Sequence, residues 1–210
     1  MKQYAPSPCP PSGFVPPLRE LERLLIAAAK TQNLISDADL PHLWERHILD
    51  SLAPLLPEAG LSLDHPGLWV DIGSGAGLPV LPLAVCLPHW RFTAIEPRPL
   101  RAKHLVQLST TLQLKNLQVL CAKAESTQTF PNLKGKANIV STRAVGKIPE
   151  DAHRARPFLA PGGSFVTFKH QEAIPLIDGY YPLSYVRYLL PNLDEPRTLV
   201  SATLLTQADP

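Results

Sequence analysis

The chain alternates short apolar runs with amphipathic segments, a pattern typical of a sheet covered by helices. Five apolar runs are predicted to be strands, at 68–72, 92–96, 117–122, 137–142 and 164–169. Two further runs, at 183–190 and 198–205, resemble an antiparallel pair. Helices are predicted between the strands, at 79–86, 99–114 and 148–158. Strands that alternate with helices in this way predict an α/β fold with a mostly parallel sheet.

Two more helices are predicted before the first strand. Residues 18–30 carry a leucine stripe, and residues 40–56 carry a second apolar stripe, with Asp37 and Asp39 as candidate N-caps. Residues 1–17 contain six prolines, which predicts a flexible arm without a helix. Because no repeat or linker interrupts the remainder, residues 18–210 are predicted to form a single domain with a helical addition at 18–57.

The most informative motif is a glycine-rich segment that follows the first predicted strand. Gly73, Gly75 and Gly77 predict a turn in which backbone can approach a ligand, since no Cβ is in the way. Pro79 suits the first turn of the next helix, whose free amides would face the same ligand. The second strand ends in an acid, Glu96. This order of elements is typical of the nucleotide-binding half of a doubly wound fold.

The details of this segment separate the candidate cofactors. A Walker-type loop needs Lys and then Ser or Thr after its last glycine, where Leu78 and Pro79 stand. A dinucleotide fingerprint needs a third glycine at the position of Leu78. Asp71, within the strand, suits a ligand with an ammonium group better than one with two phosphates. S-adenosylmethionine (SAM) has that ammonium and a ribose diol, from which Glu96 is expected to accept hydrogen bonds.

Composition and charge limit the function further. Three cysteines without metal-ligand spacing predict no metal site and a reducing cytoplasm, and no apolar run is long enough to span a membrane. From Arg98 to His170 twelve Lys and Arg face three acids, a net +9; since the whole chain carries +2, the remainder carries −7. A solvent-exposed basic face balanced by an acidic one would explain this asymmetry. However, the basic half of the chain lies after the glycine loop, where a substrate is expected to bind, and this favours a polyanionic substrate.

Four blocks of sequence occur in an order that matches one family: 44–52, 71–79 with 82–84, 141–145, and 159–163 through Lys169. With them, the chain closely resembles the bacterial 16S ribosomal RNA guanine-N7 methyltransferase family (RsmG), also called the glucose-inhibited division protein B family, over about residues 33 to 205. The resemblance implies a Rossmann-like class I SAM-dependent methyltransferase fold with an antiparallel C-terminal strand. It also implies methyl transfer from SAM to N7 of a guanine in the decoding-region loop of the small subunit, with 16S rRNA or the 30S subunit as the partner in the cytoplasm. A monomer is expected.

The resemblance also implies site residues. With those argued from the residues alone, the predicted cofactor-binding set is Gly73, Gly75, Leu78, Glu96, Ala124, Glu125 and Arg143. The candidate RNA contacts are Arg98, Arg101, Lys103 and Lys169. Arg143 could bind the cofactor carboxylate, an RNA phosphate or the guanine O6, and the sequence leaves these three open. The set Arg46, His47, Asp50 and Ser51 is interpreted as a wall of the site, with His47 a core residue and not a catalyst.

Some positions depart from the family's pattern. Val80 stands where a glycine is usual, Pro97 and Pro99 flank Arg98, and only Asn33-Leu-Ile-Ser36 remains of a longer N-terminal region. These departures concern substrate docking more than cofactor binding.

The residues that the chain lacks also bear on mechanism. Exocyclic-amine methyltransferases carry a Pro-Pro-aromatic stretch after the fourth strand, where this chain has Ser141-Thr-Arg-Ala. Enzymes that methylate pyrimidine C5 need a nucleophilic cysteine in the site, whereas Cys86 and Cys121 lie in apolar segments. Guanine N7 offers a lone pair and has no proton to lose, so transfer needs alignment and little general base chemistry. No catalytic residue is predicted beyond positioning by Arg143. The alternatives are a nicotinamide-dependent reductase, for which no Tyr-x-x-x-Lys pair is present, and a non-catalytic RNA-binding protein with a relic SAM pocket.

Overall fold

The computed structural model describes residues 4–32, 35–125, 130–143, 146–169, 177–181 and 184–205. Seven strands form one sheet: β1 Leu68–Ile72, β2 Arg91–Ile95, β3 Leu117–Leu120, β4 Ala137–Arg143, β5 Leu159–Lys169, β6 Ser184–Tyr188 and β7 Arg197–Thr203. Their order is β3-β2-β1-β4-β5-β7-β6. Strands β1 to β5 pair in parallel, and β7 lies antiparallel between β5 and β6. The predicted α/β fold with a mostly parallel sheet is confirmed.

Four α-helices accompany the sheet in the described ranges: α1 Val15–Gln32, α2 Val80–Cys86, α3 Pro99–Thr111 and α4 Ile148–Ala155. Each lies within a few residues of its prediction, but α1 begins three residues earlier than expected. Pro16 and Pro17 occupy its first turn. A proline there loses nothing, because the amides of the first turn have no partner within a helix.

The segment before α1 contacts the outer strand of the sheet. The Ala5 N–H donates to Arg187 O at 2.8 Å, and Ala5 forms a parallel bridge with Tyr188 of β6. The Ser7 hydroxyl donates to Leu189 O at 2.6 Å. The prolines alone did not indicate these contacts, and the flexibility of the arm stays a prediction.

The second predicted helix is wrong as a continuous α-helix. A π-helical segment, Trp44–Leu49, is flanked by short 3₁₀ turns at Leu40–His42, Ala53–Leu55 and Pro57–Ala59. Each of these turns has a proline in one of its first two positions, which explains why no α-helix runs through. The predicted inward side chains Leu43, Ile48 and Leu52 are nevertheless buried.

The sheet is covered on both faces. On one face Trp69 packs edge-on against Trp90, with ring centroids 5.9 Å apart, and α1, α2, α3 and the π-helical segment contribute to the same cluster. On the other face α4 packs with Val70, Val140 and Phe165. In the part of the chain that is described, no helix is long and apolar enough to cross a membrane. The parallel strands place the loops after β1, β2 and β4 at one edge of the sheet, where ligands of such folds bind.

Candidate functional site

The glycine loop, Gly73–Leu78, connects β1 to α2 and has the conformation that its sequence predicts. Gly73, Gly75 and Gly77 have φ angles of 73°, 54° and 93°, a region that L side chains rarely adopt. The Gly73 N–H donates to Ile95 O at 2.8 Å and so fastens the loop to β2. A Cβ at Gly77 would collide with the Leu81 side chain, so α2 packs on bare backbone.

Glu96 directly follows β2 and is buried. Its Oε2 accepts the Gly75 N–H at 2.8 Å, and its Oε1 accepts the Arg98 N–H at 2.9 Å. Each carboxylate oxygen has further acceptor capacity. Because Glu96 also lines the cavity described next, that capacity is available to a ligand's hydroxyl groups.

A cavity of about 970 Å³ opens at the carboxyl ends of β1, β2 and β4. Its volume is that of a site for a nucleoside-sized ligand. The structure brings most of the predicted site residues to its walls: Gly73, Gly75, Leu78, Glu96, Arg98, Arg101, Arg143 and Lys169. Three predicted residues do not line it, namely Lys103, Ala124 and Glu125.

The loop after β3 holds Ala124 and Glu125 away from this cavity. Ala124 is buried, whereas the Glu125 side chain is 63% exposed and accepts a hydrogen bond from Arg154 Nε at 3.2 Å. Because Arg154 lies on α4, its contact with Glu125 ties this loop to the helix. Arg154 also donates to the buried carboxylate of Asp151, on the same helix, at 3.1 Å. The next residues, 126–129, lie outside the described part of the chain. Cofactor contact by Ala124 and Glu125 stays a prediction.

The candidate RNA contacts differ in availability. Arg98 is exposed and Arg101 partly exposed at the cavity wall, and Lys103 is exposed further along α3. Lys169 has a side chain only 9% exposed, and its ammonium donates to Gly146 O. Its Nζ also lies 3.7 Å from the buried Asp151 carboxylate. Internal partners therefore hold Lys169, which argues against the RNA contact that the sequence suggests.

Arg143, at the end of β4, crosslinks the sheet to the π-helical segment. Its Nη2 donates to Asp50 Oδ2 at 2.8 Å and to Arg46 O at 2.9 Å, and lies 3.3 Å from His47 Nδ1. Its guanidinium carbon is 5.8 Å from the ring centre of Phe168. Its side chain is 15% exposed and lines the cavity together with Arg46, His47 and Asp50. Three of the four predicted wall residues thus line the cavity, and Arg143 attaches them to the sheet. The fourth, Ser51, is fully buried, does not line the cavity, and donates to His47 O.

His47 is a neutral member of this wall. Burial, and to a smaller extent the nearby Arg143 guanidinium, lower its pKa to about 4. With Nδ1 facing the Arg143 donor, the network assigns the ring proton to Nε2. A ring with this pKa is uncharged at pH 7 and a poor proton acceptor. The interpretation of His47 as a core residue is wrong, because its side chain is 21% exposed and lines the cavity. That it is not an acid–base catalyst stays a prediction, which its low pKa favours.

Asp71 lies beneath the loop and not on the cavity wall. Its Oδ1 accepts the Ser141 hydroxyl at 2.6 Å, and Ser141 in turn accepts the Trp69 indole N–H at 2.8 Å. Burial raises the pKa of Asp71 to about 6, against the opposing hydrogen bonds of Ser141 and Ser74. The suggestion that Asp71 suits a ligand's ammonium is therefore corrected: it contacts the loop, through the Ser74 hydroxyl on its carbonyl at 3.1 Å.

Metal and thiol chemistry find no support in the described ranges. No group of His, Cys, Asp and Glu there could hold a metal ion. Burial raises the pKa of the Cys86 thiol to about 12, which disfavours the nucleophilic thiolate, and Cys9, Cys86 and Cys121 are absent from the cavity lining.

The cavity-lining residues that the sequence did not predict include Asp39, Phe168, Glu195 and Arg197. Asp39 was a candidate N-cap, but its carboxylate instead accepts hydrogen bonds from Ser36 at 2.7 Å and Arg46 at 3.0 Å. Arg197 begins β7, far along the chain from the glycine loop. No local motif marks it, and the sheet order alone brings it to the site.

Comparison with known proteins gives consistent matches. The sequence profile of the family described as GidB, rRNA small subunit methyltransferase G, matches residues 16–176. A protein named ribosomal RNA small subunit methyltransferase G from Sorangium cellulosum is 37% identical over 151 residues, covering 71% of this chain and 61% of the relative. Its namesake from Leifsonia xyli is 35% identical over 167 residues, covering 79% and 74%. The match to the Sorangium protein thus spans less than two thirds of that relative's length.

One solved structure shows the same fold at low sequence identity. It is a SAM-dependent O-methyltransferase from Thermotoga maritima, 14% identical, with a TM-score of 0.55 and coverage of 89% of this chain and 73% of the other.

Proposed function

Because the chain belongs to the rRNA small subunit methyltransferase G family, we propose that it transfers a methyl group from SAM to N7 of a guanine in 16S rRNA. One observation carries the proposal. A single cavity combines the Gly73–Leu78 loop and Glu96, which suit a nucleoside cofactor, with the cationic groups of Arg98 and Arg101, which suit an RNA backbone.

The residues present fit SAM. A Cβ at Gly75 would meet nothing closer than Gly73 O at 3.7 Å, so the loop presents bare backbone with room for a ligand. Glu96 offers acceptors for a ribose diol, and Leu78 offers an apolar wall. When bound, SAM supplies an electrophilic methyl group. A Walker-type or dinucleotide loop would need residues that are absent at Leu78 and Pro79.

The acid–base character of the site suits an acceptor such as guanine N7. This nitrogen carries a lone pair and loses no proton during transfer, so the protein must align it with the methyl group and exclude competing poses. His47, with a pKa of about 4, provides no effective base. The role left to Arg143 and to the π-helical segment is to position the reacting groups.

The substrate and setting follow from the same surface and from the names of the relatives. The basic groups at the cavity favour RNA, and the relatives are named for the small ribosomal subunit. We infer that the protein acts on 16S rRNA, free or within the 30S subunit, as a monomer in the cytoplasm, without a membrane partner.

Methylation of small-subunit RNA tests the proposal directly. Purified 16S rRNA and 30S subunits lacking this modification are incubated with the protein and methyl-labelled SAM, and 7-methylguanine is located by borohydride reduction and aniline cleavage. We expect one labelled guanine in the decoding-region loop. Label on another base or atom would contradict the proposed specificity. Binding of NADH in place of SAM would favour a reductase, and RNA binding without SAM binding would favour a relic pocket.

A further inference from the structure

Asp50 joins three separate elements of the structure through one buried carboxylate. The residue is 3% exposed, directly after the π-helical segment. Its Oδ2 accepts from Arg143 Nη2 of β4 at 2.8 Å, and its Oδ1 accepts from the Tyr188 hydroxyl of β6 at 2.7 Å. Both carboxylate oxygens are thus committed to groups that are distant along the chain.

The pairing differs from the one that helical spacing suggests. Arg46 and Asp50 are four residues apart, a spacing that would stabilise an isolated helix. In the structure Arg46 instead pairs with Asp39 at 3.0 Å, which leaves Asp50 to Arg143. The Asp50 carboxylate therefore helps to place the cavity-lining guanidinium of Arg143 and does not form the local helical ion pair with Arg46.

The Arg143 guanidinium is held by acceptors of unequal strength. Asp50 provides its charged acceptor, whereas Arg46 O and His47 Nδ1 are neutral. A charged acceptor gives the stronger hydrogen bond, and both side chains are largely buried, at 15% and 5% exposed, which reduces screening by solvent. Without the Asp50 charge, only the neutral contacts would oppose movement of the guanidinium into the cavity where the substrates must align.

We propose that Asp50 is a positioning residue for methyl transfer, because its carboxylate fixes the orientation of the Arg143 guanidinium at the cavity wall. The proposal rests on the proposed function. In this proposal Asp50 acts on the reaction through Arg143 and not by its own contact with either substrate.

Two substitutions at this carboxylate separate positioning from packing. Asp50→Asn has nearly the same shape and still offers Tyr188 an oxygen acceptor, but it removes the charge that faces Arg143. The matched control, Tyr188→Phe, removes the other hydrogen bond on the same carboxylate. At saturating SAM and RNA, we expect Asp50→Asn to slow single-turnover transfer at least about tenfold and Tyr188→Phe to stay within about twofold of the wild type. Equal slowing by both, or a wild-type rate for Asp50→Asn, would overturn the proposal.

A double-mutant cycle tests whether Asp50 acts through Arg143. Arg143→Gln removes the cation but keeps an amide donor for the buried carboxylate. If Asp50 acts only through Arg143, the double variant transfers methyl within about twofold of Arg143→Gln alone. Rate losses that multiply would show that Asp50 has an independent role and would overturn the proposal. Melting temperatures of all variants report the structural contribution separately.

A spectroscopic readout makes the result independent of methyl transfer. The arginine side-chain ¹H–¹⁵N NMR signals of Arg143, assigned by their loss in Arg143→Gln, should be distinct in the wild type and in Tyr188→Phe. In Asp50→Asn they should merge with those of mobile arginines. Distinct signals in Asp50→Asn would refute the positioning role. If the wild type methylated no rRNA while this pattern held, the proposed function would fail and the Asp50 contact would stand.

Asp50→Glu covers the case in which Asp50→Asn does not fold. It keeps the buried charge pair but moves the carboxylate by one methylene, so we expect a folded protein with slowed transfer. A wild-type rate with shifted Arg143 signals would contradict the proposal.

Discussion

The Glu96 carboxylate accepts the backbone N–H of Gly75 at 2.8 Å, although 21 positions separate the two residues. The acid that is expected to bind the ribose diol therefore also sets the conformation of the glycine loop. Its second oxygen accepts the Arg98 N–H at 2.9 Å, at the start of α3. One buried carboxylate thus connects the proposed cofactor site to the first residue of the basic surface.

Substitution of Gly73 tests the cofactor assignment. Gly73→Val places a branched side chain on the loop that should accommodate the methionine part of SAM, at a φ of 73° that valine adopts only with strain. We expect SAM affinity, measured by titration calorimetry, to fall at least about tenfold, which corresponds to about 1.4 kcal/mol.

Gly162 provides a matched control for the strain. Gly162 has the same φ of 73°, and a Cβ at this position would meet no atom within 4 Å. It lies near the amino end of β5, outside the cavity. Gly162→Val should lose a similar amount of stability and keep its SAM affinity. Equal SAM affinity in the Gly73 and Gly162 variants would contradict the assignment of the cofactor site to this loop.

Charge reversal on α3 tests the RNA surface. Replacing Arg98, Arg101 and Lys103 with Glu should weaken RNA binding and flatten its dependence on salt, since fewer counterions are then released. SAM affinity should change little by comparison, measured on the same protein. We expect the slope of log affinity against log salt to decrease by about two to three for the triple variant.

The chain offers a control with the same charge change at the opposite edge of the sheet. Lys115 precedes β3, and Lys134 and Lys136 precede β4, so all three lie near the amino ends of the strands, and they are exposed. Their reversal to Glu should leave the salt slope nearly unchanged. If both triple variants lowered the salt slope equally, RNA binding would depend on the net charge of the protein and not on the α3 surface.

Arg143→Lys tests the need for a planar donor group. Lysine keeps the charge beside Asp50, but its one ammonium cannot replace both nitrogens of the guanidinium, of which Nη2 donates to Asp50 and Arg46 O and Nη1 donates to the Ser51 hydroxyl at 3.5 Å. We expect single-turnover methyl transfer to slow at least about tenfold while most of the folding stability remains. Arg143→Ala should slow transfer as well and also destabilise the fold, by about 3 kcal/mol, because it leaves Asp50 buried without its cation.

SAM titration of the lysine variant separates the roles that the sequence left open for Arg143. A loss of SAM affinity equal to the loss of rate indicates a contact with the cofactor carboxylate. Normal SAM affinity with slow transfer indicates placement of the guanine or of an RNA phosphate. A wild-type rate for either variant on 30S subunits would exclude Arg143 from the site.

The buried Asp71 makes stability depend on pH in a defined direction. Its pKa is raised from 3.8 to about 6, so the folded protein favours the protonated carboxyl more than the unfolded chain does. Its contribution to stability is therefore present at low pH and is lost as the pH rises through about 6. Asp71→Asn does not titrate and still offers Ser141 an oxygen acceptor.

The measurement is a comparison of urea unfolding between pH 4 and pH 7.5. Over this range we expect the free energy of unfolding of the wild type to fall by about 2 kcal/mol relative to Asp71→Asn. Groups common to both proteins, His47 among them, cancel in that difference. Parallel stability curves would mean that Asp71 is not held in this buried position.

The sequence predicted what local pattern determines. Strand, glycine turn and helix are adjacent in the chain, so the spacing of Gly73, Gly75 and Gly77 and the position of Glu96 sufficed to locate one wall of the site. The opposite wall depends on packing between distant segments. Prolines divide residues 40–59 into short turns, which an apolar stripe alone does not reveal.

Pairing between distant charges limited the prediction most. The sequence suggests that Lys169 is available for RNA. Asp151, 18 positions earlier, is buried beside Lys169 in the structure, and no local sequence pattern indicates this contact. Likewise Glu125 pairs with Arg154. In both cases the chain shows the charges but not which of them meet, since the sheet order decides that.

The hydrogen bonds from Ala5 to β6 and from Ser7 to Leu189, just after β6, have a consequence for self-association. An outermost strand with open acceptors can template pairing with another molecule. Here Arg187 O and Leu189 O are already occupied by the arm. In an extended segment alternate amides point to opposite sides, and the two positions that alternate with Ala5 and Ser7 are Pro6 and Pro8, which have no N–H. At these two positions the arm therefore offers no N–H donor to a further strand, and removing the arm would expose the Arg187 and Leu189 carbonyls at the outer edge of the sheet.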